Sequence, residues 1–177
     1  MAKPNPNILI TGTPGTGKSE LCRLLREKLA PDFTLQNVSK IVVDNGFVEE
    51  YDADLECPVM DEDRLLDLLE PIMQRGGNIV EYHSSDFFPE RWFAAVFVTC
   101  CSTNVLYDRL RQREYSERKL KSNMECEIFQ TPLEEARDSY RKEIVFVLQN
   151  NDLAEQAANV QQICSWLEEW KNKSNKK

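Results

Sequence analysis

The chain has 177 residues, 22 Lys plus Arg against 30 Asp plus Glu, a formal net charge of −8, and 41% apolar residues. This is the size and apolar content of one ordinary globular domain with its own core; a mean hydropathy of −0.52 and 29% charged residues argue against a disordered or membrane-embedded chain. The acidic balance argues against a generic nucleic-acid binder, whose affinity rests on neutralising phosphates, but leaves room for a local basic patch or a basic partner.

The N-terminal segment MAKPNPNILITG runs from two prolines straight into a short apolar strand, Asn7 to Thr11. An apolar h-region with a small-residue cleavage site does not fit there. The longest apolar run, Trp92 to Cys101 interrupted by Thr99, falls short of the ~20 residues that a bilayer span needs. Six cysteines stand at 22, 57, 100, 101, 126 and 164 without a C-x-x-C pair, and His83 is the single histidine. Reduced, packed thiols in a nuclear or cytosolic protein are the expectation.

After a glycine turn, the spacing of Leu21, Leu24, Leu25 and Leu29 predicts a helix from about Lys18 to Leu29, ended by Pro31. Phe33 to Val38 reads as a short second strand. Residues 39–60 show no clean period and read as a loop-rich insertion with helical pieces. Asp61-Glu62-Asp63 opens a helix carrying Leu65, Leu68, Leu69 and Ile72, stopped by Gly76-Gly77. Asn78 to Tyr82 and Ala94 to Thr99 are the next strands. A helix is predicted from Asn104 to about Arg113, and a second helical stretch over roughly 122–140 with a break near Thr131-Pro132. Ile144 to Leu148 is the last strand, Leu153 to Trp170 the last helix, and KNKSNKK a frayed tail at 171–177. Short apolar strands alternating with helices imply one α/β domain: a five-stranded parallel sheet covered on both faces, a three-layer sandwich.

Glycine is scarce, with six residues, yet Gly12, Gly15 and Gly17 crowd into GTPGTGKS, which matches G-x-x-x-x-G-K-[ST] over positions 12–19. The motif lies between an apolar strand and an amphipathic helix, as its mechanism demands. Glycines permit positive φ and close backbone approach, so that successive N–H groups can point at a phosphate chain. The helix N-terminus adds partial positive charge. Lys18 would reach the β- and γ-phosphates of a nucleoside triphosphate, and Ser19 would ligate Mg²⁺. N-K-x-D, which selects guanine, is absent, and a chain of this size suits the small-molecule and nucleotide kinases. Those enzymes also need an acid on strand 3, an acceptor-holding insertion and a lid that supplies arginines.

Residues 109–121, RLRQREYSERKLK, hold six basic side chains in thirteen positions and fit the lid. Arg109 and Arg113 are i, i+4 on one helical face, which would let both turn towards the same phosphates. The end of the third sheet strand, NIVEYHSSDFFPERW, offers Glu81, His83 and Asp86 at the ligand crevice. Glu81 would hold a Mg²⁺-bound water, and His83 would orient an attacking water or an acceptor oxygen. Arg91 has two readings open, a grip on an acceptor phosphate or a pair with Glu90 or Asp86.

On GTPGTGKS, EYDADLECPVMDEDR, EYHSSDFFPERW, NVLYDRLRQREY and CEIFQ at 126–130, the chain resembles the adenylate kinase isoenzyme 6 family over essentially residues 7–170. Members are also described as a coilin-interacting nuclear ATPase and as a small-ribosomal-subunit maturation factor. The resemblance implies a nucleoside-monophosphate-kinase fold, with a monophosphate region near 37–60 and a short lid near 112–122. It also implies broad-specificity phosphorylation of nucleoside monophosphates from ATP, together with ATP hydrolysis. By the same resemblance Gly15, Gly17, Lys18, Ser19 and Glu20 bind ATP, and Arg113 contacts it from the lid; Thr16, inside the glycine-rich motif, and Arg109, on the face it shares with Arg113, are expected to join them. Three positions depart from the family pattern. Glu81-Tyr82-His83 stands where Asp-x-His is usual, and the extra methylene moves the carboxylate by roughly 1.5 Å, which favours water-mediated contact with the metal. Glu114 stands where glycine is frequent, and Val43 where some members carry arginine.

Two functions therefore follow: a monomeric nucleotide kinase, or an ATP-hydrolysing assembly factor that switches its grip on a basic small-subunit ribosomal protein or pre-ribosome, in the nucleus and cytoplasm. One feature favours the second independently. Residues 49–63, EEYDADLECPVMDED, contain eight acids and no base, and these eight account for the whole excess of 30 acids over 22 bases. Such a stretch suits a basic protein better than an anionic monophosphate.

Overall fold

Short apolar runs and the helices between them set the architecture, which a computed structural model describes for residues 3–54 and 56–176. In chain order the elements are β1 (Ile8–Gly12), α1 (Lys18–Leu29), β2 (Thr34–Asn37), α2 (Val38–Asp44), β3 (Val48–Asp52), β4 (Cys57–Met60), α3 (Glu62–Arg75), β5 (Asn78–Glu81), β6 (Ala95–Cys100), α4 (Thr103–Gln112), α5 (Glu117–Ile128), α6 (Thr131–Ser139), β7 (Val145–Gln149) and α7 (Leu153–Asn175). Five strands form a parallel sheet in the order β2-β5-β1-β6-β7. β1 and β6 are buried along their whole length, which is why they read as unbroken apolar runs.

Alternate residues of each strand serve opposite faces. Leu9, Val80, Val96 and Val98 pack towards α2, α3 and α6 with Phe88, Trp92 and Phe93. Ile8, Ile10, Ile79 and Phe97 pack towards α1 and α7 with Leu21, Leu25, Ile163 and Leu167. The result is the expected three-layer α/β sandwich. From β1 the chain winds outward to β2 and returns through β5, then crosses to β6 and β7. The direction of winding thus reverses at β1, and the carboxyl ends of β1 and β5 flank the crevice where such sheets bind ligands.

The insertion differs from its sequence reading. The stretch read as loop-rich with helical pieces, residues 39–60, holds most of α2, which is such a piece, and an unexpected antiparallel β3–β4 hairpin, whose base is closed by Asp61 N donating to Phe47 O at 2.7 Å. Every residue of β3 up to Tyr51 is exposed, so no period-2 burial marks it in the sequence. Within the lid, α5 starts at Glu117, five residues before the helical stretch expected from 122, under a Ser116 cap that accepts from Lys119 N at 3.1 Å. The predicted stretch 122–140 is two helices, parted where Gln130 takes a φ of 52°. The tail is helical to Asn175 rather than frayed from 171, with Lys171 Nζ 5.9 Å from the centroid of the Phe33 ring. All six cysteines are free. No helix among the described residues is long and apolar enough to cross a membrane.

Candidate functional site

The glycine-rich turn between β1 and α1 is braced from within. Gly12 has φ 148° and Gly17 has φ 88°; a Cβ on Gly12 would collide with Thr99, and one on Gly17 with the Asn150 amide. Only glycine meets both the backbone angle and the close approach. Thr16, read from sequence as a nucleotide contact, turns inward instead. Its hydroxyl lies 2.7 Å from both Thr13 O and Thr99 Oγ1, and its N–H donates to Thr13 O at 3.2 Å. Asn150 Nδ2 donates to Thr16 O at 2.8 Å and ties the loop to the end of β7.

Lys18 lies folded back on this loop, donating to Gly12 O at 2.6 Å and Thr13 O at 3.1 Å. Burial lowers its pKa from 10.5 to about 8, opposed in part by the Glu81 carboxylate. A phosphate chain would supply the counter-charge that two carbonyl oxygens do not. Glu20, at the rim, is held by Arg23 at 2.6 and 2.9 Å, and this guanidinium lowers the carboxyl pKa. Its side chain is therefore a poor phosphate ligand.

Next to Lys18 at the start of α1, Ser19 Oγ donates to Glu81 Oε1 at 2.6 Å. A hydroxyl and a carboxylate side by side at the head of a phosphate loop are the hard oxygen donors that Mg²⁺ takes, with substrate phosphate and water completing its shell. The residues fit the ion. Asn37 Nδ2 reaches the second oxygen of Glu81 at 3.5 Å. His83 follows two residues on, its ring centroid 4.2 Å from that of Tyr82. It is exposed to solvent yet crowded by the protein around it; that crowding, with the Lys18 charge, lowers its pKa to about 4. His83 is thus neutral at pH 7 and able to accept a hydrogen bond. These residues, with Gly15, Gly17, Glu20 and Arg113, line a cleft of about 450 Å³.

The two lid-side arginines do different things. Arg113 caps α4 at the cleft wall, with Nη1 donating to Tyr115 Oη at 3.3 Å. Arg109 does not join it. Its guanidinium donates to Gly15 O at 3.2 Å, Asn150 O at 3.0 Å and Asn151 O at 2.9 Å, clamping the loop to the β7 end. It also borders a separate groove with Gly17, Asn150, Leu153 and Gln156. On the other side of His83 lies a second cavity of about 510 Å³, walled by Thr13, Ser39, Tyr115, Lys119, Asn123 and Glu135 among others. Over it the hairpin meets the lid through Ser116 Oγ to Glu56 Oε2 at 2.5 Å and Arg118 to Asp54 at 3.4 Å.

A family model described as an AAA domain matches residues 8–130, from β1 through α5. The adenylate kinase isoenzyme 6 homolog of Drosophila melanogaster is 54% identical over 168 residues, covering 95% of this chain and 95% of that protein. That of Caenorhabditis elegans is 48% identical over 169 residues, covering 94% and 92%. The chain belongs to the adenylate kinase isoenzyme 6 family. Shikimate kinase from Acinetobacter baumannii, solved in complex with shikimate, superposes with a TM-score of 0.64 at 14% identity over 93% of each chain, and so shares the P-loop kinase fold.

The departures from the family pattern seen in sequence have structural counterparts. Glu114 sits at φ 55°, just past the end of α4, where glycine closes a helix without strain. Val43 is 65% exposed on α2. Arg91 is neither an acceptor ligand nor a partner of Glu90 or Asp86. It forms a two-pronged pair with Glu70 at 2.7 Å on each prong, beside a groove that also includes Lys3, Pro4 and Trp170. Sequence reasoning missed Asn37 and Asn150. Asn37 ends β2 and Asn150 directly follows β7, and only the sheet order shows what they touch; the one local signal was the Asn150-Asn151-Asp152 run.

Proposed function

We propose that this protein is a nucleoside-monophosphate kinase that moves the γ-phosphoryl group of ATP to AMP or another monophosphate. The observation that carries the reading is the Ser19–Glu81 pair, set between the phosphate loop and a second cavity that His83 joins to it. Lys18, released from Gly12 O and Thr13 O, would bind the β- and γ-phosphates, and Arg113 would meet the charge of the transferring group from the lid. Ser19 and Glu81 would hold Mg²⁺, which when bound neutralises charge between the phosphates. The acceptor would lie in the second cavity near Lys119. Its phosphate oxygen attacks the γ-phosphorus in line, the bond to the β-phosphate oxygen breaks, and ADP leaves. The acceptor oxygen is already ionised, so no base is required. His83, neutral and weakly basic, would orient the acceptor by accepting or donating a hydrogen bond. The groove beside Arg109 would take the adenine of ATP.

The test is ADP formation with ATP and Mg²⁺, with and without AMP or CMP. Monophosphate should stimulate it and itself become diphosphate; phosphate release indifferent to monophosphate would contradict the kinase reading.

A second reading has its own support. The acids of residues 49–54 stand on an exposed hairpin outside the cleft, which suits docking to a basic protein. By the family's description this would be a small-subunit ribosomal protein in the nucleus or cytoplasm, with ATP hydrolysis switching the grip. Charge reversal of Glu49, Glu50, Asp52 and Asp54 should weaken binding to such a partner in a salt-dependent way; unchanged affinity would remove this reading and leave the kinase intact.

A further inference from the structure

Asn37 ends β2 and Glu81 ends β5, and the parallel register sets them directly side by side as paired residues. Both ends of the Asn37 amide are in use. Oδ1 accepts from Lys40 N at 3.0 Å and so caps α2, the first helix of the insertion. Nδ2 reaches Glu81 Oε2 at 3.5 Å, while the other oxygen of that carboxylate takes the Ser19 hydroxyl at 2.6 Å. One side chain thus joins the first turn of the acceptor insertion to the carboxylate at the head of the phosphate loop. Asn37 also lines the cleft itself.

We propose that Asn37 is a positioning residue: it holds Glu81 in the rotamer that presents Oε1 to a divalent ion, and it links that ion's affinity to the orientation of the insertion. The inference rests on the nucleotide-kinase reading, in which Ser19 and Glu81 meet the metal. Glutamate makes such a brace more necessary than aspartate would, because its extra torsion lets the carboxylate swing. A donor behind a metal-binding carboxylate restricts that swing, and losing such a partner typically weakens metal affinity about 10- to 100-fold. An N-cap alone makes no such demand, since serine caps about as well as asparagine. A ligand that reorients α2 would also move the Nδ2 donor, and the effect must be reciprocal between metal and acceptor.

The experiment measures Mn²⁺ binding, by water-proton relaxation, to the full-length protein saturated with a non-hydrolysable ATP analogue. Wild type, Asn37→Ser and Asn37→Ala are compared, with a thermal melt of each metal-free protein. Asn37→Ser keeps the cap and removes the donor. It should bind Mn²⁺ about 10-fold more weakly with a melting temperature close to wild type, whereas Asn37→Ala should lose both affinity and stability. Adding AMP should shift Mn²⁺ affinity in the wild type and shift it less in Asn37→Ser. Mn²⁺ affinity of Asn37→Ser within twofold of wild type would overturn the positioning role, and equal AMP shifts would overturn the link. If the wild-type complex itself held no Mn²⁺, the kinase reading would fall and this inference with it; a failure confined to the variant comparison would leave that reading standing.

Discussion

The phosphate loop and the insertion-lid pair face each other across the same cleft, yet they are held in opposite ways. Around the loop, the contacts of Thr16, Lys18, Asn150 and Arg109 lie in buried or half-buried surroundings and converge on a few backbone carbonyls. Across the cleft, the hairpin touches the lid through exposed side chains, with Arg118 65% and Asp54 94% exposed in their ion pair. Exposed pairs of this kind contribute little to holding a geometry, and a segment with few buried contacts opens at low cost. The contrast fits the proposed transfer between two substrates, with one side preformed for a phosphate chain and the other held loosely enough to close over a substrate.

Variants should divide along the same line. The largest effect belongs to Lys18→Ala, which should lower kcat/KM for ATP on the order of 10³-fold with little change in the melting temperature; steady-state kinetics retaining a tenth of wild-type activity would break the loop side of the contrast. Lys18 also predicts a pH signature. Its pKa near 8 in the free protein should rise when phosphates bind, so ATP affinity should hold below pH 8. Above it, affinity should fall by up to about tenfold per pH unit until the pKa of the complex is reached. Calorimetric titrations from pH 7 to 9.5 would show this, and Lys18→Met should flatten the profile.

Arg109→Ala comes next. It leaves three loop carbonyls without their donor and should cost about 1–3 kcal/mol of stability, together with weaker ATP binding, measured by chemical denaturation and titration. A loss of affinity with unchanged stability would mean that Arg109 is a ligand contact more than a brace. Glu114→Gly, on the lid side, should have the smallest effect. Relieving its φ of 55° should stabilise the protein by roughly 1 kcal/mol. A destabilisation would show that the Glu114 side chain makes contacts worth more than the strain.

Much of this molecule was legible in advance because its signals are local. β1, the glycine turn and α1 lie within 22 consecutive residues, so motif and periodicity sufficed for Lys18 and Ser19. The position of Glu81 and His83 at the cleft was legible because a strand's carboxyl end has a fixed relation to the crevice. The β3–β4 hairpin was not legible, since its acids face solvent and Pro58, inside the second strand, argues against a strand in sequence. The contacts of Arg91 and Arg109 were not legible, for one reason. A guanidinium's destination depends on partners far away in sequence, here Glu70 on α3 and the carbonyls after β7. The tail looked frayed from its polarity, while the Lys171 ammonium lies over the Phe33 ring and the helix continues.

The central claim is that the cleft delivers a phosphoryl group to a monophosphate, and following the terminal phosphoryl group itself tests this most directly. With ATP labelled at the γ-phosphate, Mg²⁺ and AMP, the label should appear in the β-position of newly formed ADP, with a minor share as inorganic phosphate. Label found only in inorganic phosphate, at a rate that AMP does not change, would contradict the account.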